Sequence, residues 1–148
     1  MTQVLHLAGK DDLDRLERMV AAYHAEEVIE SDEAHRRAAL EPLLEGSPHG
    51  AIWMIGPQMA PVGYIAVSFG WSIELGGLDG VLDEFWIREK VRGRGMGSEA
   101  LAALQKALKG AGVMALSLEV ATGNGTAQRL YERAGFARRN YQYMTWRA

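Results

Sequence analysis

The chain has 148 residues, 48% apolar and 24% charged, with no cysteine and a net charge of −3 from 16 basic and 19 acidic side chains. That length fits one domain, spanning residues 1–148, with a core of its own, and the composition excludes disorder over most of the chain. Lack of cysteine removes disulfides, thiolate metal sites and a cysteine nucleophile, and the slight acidity argues against a nucleic-acid or anionic-membrane binder.

Residues 4–8 form a short apolar run that predicts a strand ended by Gly9. Asp11 or Asp12 then caps a helix whose apolar stripe is Leu13, Leu16, Met19 or Val20, and Tyr23. A second helix is predicted over 32–44 and stops at Gly46-Ser47-Pro48. Residues 51–55 and 62–69 read as strands of a hairpin with Pro57 and Pro61 in its connection. Residues 70–80 read as a loop, and 81–87 as a strand carrying Asp83 and Glu84. A helix over 98–109, a buried strand over 115–120 and a short helix over 126–134 follow, the last capped by Gly135 in the left-handed conformation. Residues 136–146 predict one or two final strands. Hairpins in the first half and strand–helix–strand alternation in the second predict an α/β (α+β) class, with a central mixed sheet and helices on both faces.

The N-terminus lacks the basic and long apolar segments of a signal peptide, and no run reaches the roughly 18 apolar residues of a membrane span. A cytoplasmic location with no membrane contact is the expectation. The histidines at 6, 24, 35 and 49 have no metal-site spacing, so no metal is expected.

The densest signal is Arg92-Gly93-Arg94-Gly95-Met96-Gly97-Ser98, a glycine turn between a strand and a helix. Unpaired backbone N–H groups at a helix start favour anions, and glycines let the backbone approach a phosphate closely. Arg88, Lys90, Arg92 and Arg94 add positive charge. A Rossmann fingerprint would need glycine where Ser98 stands, and a P-loop would need Gly-Lys-Ser/Thr.

The spacing Arg92-x-x-Gly95-x-Gly97 resembles the pyrophosphate loop of the GNAT superfamily of acyl-CoA-dependent N-acyltransferases. Ile87 stands five residues ahead of the arginine, as in that family. Asn124-Gly125-Thr126-Ala127 is similar to its Asn-x-x-Ala segment, and Tyr131 to Phe136 to its Tyr-x-x-x-Gly-Phe signature. The specific part of the resemblance is 81–136, although its element order covers nearly the whole chain.

The resemblance implies a GNAT-like fold, acetyl-CoA as acyl donor and a primary amine as acceptor, on a small molecule or a protein. It implies pyrophosphate binding by Arg92, Gly93, Arg94, Gly95, Met96, Gly97 and Ser98. It also implies a backbone N–H at Trp86 or Ile87 that stabilises the developing oxyanion, Asn124 orienting the cofactor arm or a water, and Tyr131 as general acid. An unperturbed phenol, with a pKa of about 10, stays protonated at neutral pH. An ammonium must lose its proton before it attacks, and a carboxylate serves. Asp83 and Glu84 are the candidates, on opposite faces by strand alternation. Glu84 is favoured as base or acceptor-binding residue, with Asp83 as a structural partner. The acids Glu26, Glu27, Glu30, Asp32 and Glu33 form either a cation-attracting patch or a solvated helix end, and Trp71 either walls the acceptor site or is an exposed turn aromatic. The competing functional class is a non-catalytic acyl-CoA sensor or interaction module, and a homodimer is compatible with either.

Overall fold

The computed structural model describes residues 3–148; Met1 and Thr2, the start of the segment read for a leader, lie outside the described residues. In chain order the elements are β1 (Leu5–Leu7), α1 (Leu13–Glu26), α2 (Glu33–Leu44), β2 (Gly50–Ile55), β3 (Gly63–Ser72), β4 (Gly77–Ile87), α3 (Met96–Gly110), β5 (Val113–Leu118) and α4 (Gly125–Arg133). Short 3₁₀ turns at Lys10–Asp12 and Glu89–Val91 precede α1 and α3. Asp12 stands at the start of α1, but its carboxylate accepts from the Gly9 N–H at 2.9 Å and so closes the preceding turn. Asp32 caps α2 by accepting from the His35 N–H at 2.7 Å.

The sheet order is β1-β2-β3-β4-β5, antiparallel throughout except for the parallel β4–β5 pair. A parallel pair needs a crossover, and α3 supplies it. Helices cover both faces. Strand alternation sends Ile52, Met54, Tyr64 and Trp86 toward Leu16, Met19 and Val20 of α1 and Leu40 and Leu44 of α2. It sends Ile55, Ile65, Val67 and Leu82 toward Leu101, Leu104 and Leu108 of α3. Leu16, Leu101 and Leu104 are fully buried, and each such leucine contributes about 1.5–3 kcal/mol. Glu17, buried in α1, accepts from Arg36 Nε at 2.8 Å and ties α1 to α2. No helix of the described residues is long and apolar enough to cross a membrane.

Three expectations need correction. Residues 70–80 are not a loop: β3 and β4 continue through them, and only 73–76 turn. The glycines there answer to crowding, since a Cβ on Gly70 would lie 2.9 Å from Asp79 Oδ1 and one on Gly80 3.1 Å from Val67 Cγ1. β5 starts at Val113, and none of its residues is fully buried, because it lies at the sheet edge. Residues 136–146 form no strand. Their pattern suits a strand, but they make no ladder with the described strands, and β5 pairs with β4 alone.

Candidate active site

The site is organised by a gap in the sheet. The β4–β5 ladder ends at Leu82 opposite Leu118, while β4 runs on to Ile87. Arg88 N–H donates to Val62 O at 2.7 Å, so that pair is hydrogen-bonded. Antiparallel ladders alternate, so Trp86 N–H turns toward β3 and Ile87 N–H toward the gap. Of the two backbone donors expected from the sequence, Ile87 therefore faces the open side.

Beyond Ile87 the chain reaches the glycine turn. Gly93 and Gly95 have φ of +77° and +82°, a left-handed conformation that side chains resist. Gly95 caps α3, and the Glu99 N–H donates to its carbonyl at 3.1 Å. The N–H groups of Met96, Gly97 and Ser98 precede that ladder and carry the positive end of the helix dipole. Space around Gly93 and Gly95 is open. Gly97 has another role: a Cβ there would sit 3.5–3.8 Å from Leu130, Ile87 and Phe85, so it sets the packing of α3 against β4 and α4. Arg94 is exposed on the turn. The Arg92 side chain is directed elsewhere, donating to Ile87 O at 2.7 Å and to both Glu26 oxygens at 2.8 and 2.9 Å. Glu26 also accepts from Trp86 Nε1 at 3.1 Å, so it fastens the end of α1 to β4 and the turn.

The two acids of β4 differ sharply. The β3–β4 register shifts so that Ala66 faces Glu84 and Val67 faces Leu82, leaving Asp83 as the extra residue of a bulge. That bulge turns Glu84 to the α1 face although Leu82 points to the α3 face. Glu84 Oε1 accepts from the Tyr64 hydroxyl at 2.8 Å, and Oε2 lies 2.7 Å from His24 Nε2. His24 Nδ1 lies 2.7 Å from Ser31 Oγ, which accepts from Arg36 at 3.1 Å. Burial, reinforced by the Glu84 charge, pushes the Tyr64 phenol far above the ordinary tyrosine range, so it remains a donor. Asp83 is exposed and, among the described residues, forms no ion pair. The expectation of Asp83 as structural partner is thus reversed: Glu84 is the bonded acid.

Tyr131 lies on α4, half-buried, with its ring edge-on to Phe136 at 5.7 Å between centroids. Burial raises its pKa, and the charge of Glu27 raises it further. Glu27 follows α1 on the opposite face of the sheet, so the phenol is within electrostatic reach across the gap. Tyr23, pushed up to about 12 by burial, also feels Glu27, Glu84, Tyr131 and Asp83. These groups share one neighbourhood. Asn124 caps α4, its side-chain oxygen accepting from Ala127 N–H at 3.1 Å; the cap leaves its amide NH₂ unused.

Sequence reasoning missed His24, Tyr64, Tyr23 and Ser31. Tyr23 entered only as part of the apolar stripe of α1, and His24 only as a histidine without metal-site spacing. The acidic cluster divides: Glu26 binds Arg92, Glu27 acts on the two phenols, Asp32 caps α2, and Glu33 pairs with Arg37. Trp71 is exposed near the end of β3, paired with Leu78. Among the described residues no group of three or more metal-ligating side chains comes together.

The acetyltransferase (GNAT) family model matches residues 13–136. An uncharacterized N-acetyltransferase, YycN, of Bacillus subtilis (strain 168) is 45% identical over 53 residues, a match spanning 36% of this chain and 34% of that protein. The aligned part thus covers about a third of the length of that curated relative. An integron cassette protein from the mobile metagenome of Cole Harbour Salt Marsh superposes with a TM-score of 0.86 at 29% identity, over 97% of this chain and 89% of the other. AAC(6')-Iy, solved with the bisubstrate analogue CoA-S-monomethyl-acetylneamine, shares the fold at a TM-score of 0.78 and 17% identity, over 97% of this chain and 96% of its own. The chain belongs to the GNAT acetyltransferase family.

Proposed function

We propose that this GNAT family member is an N-acetyltransferase whose one catalytic domain moves an acetyl group from acetyl-CoA to a primary amine by direct attack on the thioester. The observation that carries the reading is the open glycine turn beside the β4–β5 gap, with Glu84 and Tyr131 within electrostatic reach of Tyr23. The pyrophosphate of the acyl donor is held by the backbone N–H groups following Gly93 and Gly95 and by Arg94. The free amide of Asn124 orients the donor's arm or a water.

Glu84 accepts a proton from the ammonium through a water, with His24 and Tyr64 holding the carboxylate in place. The neutral amine attacks the thioester carbon, and negative charge grows on its oxygen. Ile87 N–H, free of a ladder partner, donates to that oxygen. The carbon–sulfur bond then breaks, Tyr131 gives its proton to the departing thiolate, and the nitrogen gives its second proton to water. The products are the amide and free coenzyme A, and solvent restores both protonation states. No metal enters this scheme, and its proposed setting is the cytoplasm.

A panel of small amines and lysine peptides, assayed for free-thiol release from acetyl-CoA, tests the proposal. Turnover on at least one amine is expected. No turnover with coenzyme A binding intact would make the chain an acyl-CoA sensor or interaction module.

A further inference from the structure

We propose that a cleft between α1 and the β2–β3 connection is a second binding site, for a small organic dianion with an apolar or flat body: a phosphate monoester or a dicarboxylate. This argument is independent of the proposed catalytic reading.

The cleft has a volume of about 370 Å³, within the range of small-molecule sites, and Arg15, Arg18 and Arg88 all line it. Two separate parts of the chain bring these cations together. Arg15 and Arg18 stand one turn apart on α1 and share a helix face. Arg88 follows β4, and its N–H still bonds Val62 O, so strand alternation turns it to the α1 face together with Trp86. In the sequence Arg88 counts among the charges around the glycine turn; the structure sets it in this cleft.

Folding alone gives no reason to gather these charges. Like charges one turn apart repel. Arg15 also stands in the first turn of α1, where the helix dipole disfavours cations and favours anions. Among the described residues neither Arg18 nor Arg88 forms an ion pair, and no carboxylate lines the cleft. Arg15 gives an N–H to Gln58 O at 3.1 Å and keeps further donors. The neutralising partner therefore comes from outside the chain.

The floor defines the rest of the ligand. Met19, Pro61 and Trp86 are buried along it. Trp86 Nε1 donates to Glu26 at 3.1 Å, so the indole offers the cleft its apolar ring. Guanidinium groups pair with carboxylate or phosphate oxygens through paired N–H donors, and several of them match more than one negative charge. The net charge of −3 supplies no wide basic field for a polyanion, so a small molecule is the occupant. The glycine turn opens at the start of α3, which covers the opposite face of the sheet, and none of its residues lines the cleft.

Calorimetry of the full chain with phenyl phosphate, phthalate and inorganic phosphate tests the proposal. Phenyl phosphate or phthalate should bind one to one, and inorganic phosphate more weakly, because it has no body to cover the floor. Binding of phenyl phosphate alone assigns a phosphate monoester, and of phthalate alone a dicarboxylate. Arg18→Gln and Arg88→Gln should each weaken the bound probe about tenfold or more, the loss of a hydrogen bond between charged groups. Both side chains are exposed, so the thermal midpoints should stay near wild type. Binding of neither aromatic dianion, unchanged affinity in both arginine variants, or inorganic phosphate binding as tightly as phenyl phosphate would overturn the proposal. The titration is repeated with saturating coenzyme A, where binding should persist. Loss of the probe there would place it on the glycine turn and overturn the second site.

Discussion

His24 Nε2 lies 2.7 Å from Glu84 Oε2 although the two residues are 60 positions apart in the chain. An ionised carboxylate only accepts, so Nε2 carries the hydrogen between them. The other ring nitrogen meets Ser31 Oγ, and the other Glu84 oxygen meets Tyr64. The acid is fixed from both sides, which holds its carboxylate in one geometry.

Glu84→Gln should lower kcat/KM most at low pH, where the substrate is almost wholly ammonium, by about 10²–10⁴-fold if the carboxylate is the base. Raising the pH should partly rescue it, because more amine arrives neutral. A pH-independent loss would assign Glu84 to acceptor binding instead. Asp83→Asn should leave thermal midpoint and activity near wild type, since Asp83 is exposed and unpaired among the described residues. Wild-type turnover in Glu84→Gln, with Asp83→Asn folded but inactive, would reverse the assignment.

Tyr131→Phe should preserve the fold and coenzyme A binding while slowing the chemical step by about 10²–10⁴-fold in single turnover. Burial, then Glu27, raises this phenol's pKa, and both favour its neutral form. The protonated acid therefore persists above the ordinary tyrosine value, and the alkaline limb of the rate profile should fall beyond it. Glu27→Gln should move that limb to lower pH. Tyr23→Phe serves as the control: a loss matching that of Tyr131→Phe would show that the neighbouring phenol supplies the proton.

The parts of the site legible in the sequence are those set by short-range backbone geometry. Gly93 and Gly95 precede a helix with Gly97 in its first turn, and Tyr131 falls four residues before Gly135; both patterns stand within a few positions. The Glu84 clamp was not legible, because His24 and Tyr64 reach it from α1 and β3 and no local spacing links them. The Asp83 bulge also escaped notice, since a run of alternating residues does not announce an added one. Gly70, Gly77 and Gly80 read as loop but serve close strand contacts. Residues 136–146 carry a strand pattern, yet pattern alone does not name the edge a strand joins.

Gly95→Asp should weaken coenzyme A binding several-fold or more, measured by calorimetry, by placing a negative charge at the start of α3. Gly95→Asn separates charge from backbone strain. Asparagine tolerates the left-handed conformation that Gly95 adopts at φ +82°, and open space surrounds the position. The asparagine variant should bind more tightly than the aspartate variant. Equal affinity in both would exclude a phosphate next to Gly95.

Val28 is the last case, and it links backbone strain to the site. Its φ is +56°, a conformation that costs a β-branched residue about 1–3 kcal/mol, and its side chain is 88% exposed. The strain closes the end of α1: Ile29 N–H returns to His24 O at 2.8 Å, and the chain then brings Ser31 to His24 Nδ1. Val28→Asn keeps that turn with a residue suited to it, so the protein should gain about 1 kcal/mol. For a chain of this size that corresponds to a rise in Tm of about 2–4 °C, read by calorimetry. Because Ser31 still reaches His24, the pH–rate profile should be unchanged. Ser31→Ala makes the opposite change: the turn stays, the imidazole loses its second partner, and kcat should fall with little change in Tm. A drop in Tm for Val28→Asn would show that the valine side chain, exposed as it is, holds the turn. An unchanged kcat for Ser31→Ala would show that Glu84 alone orients His24.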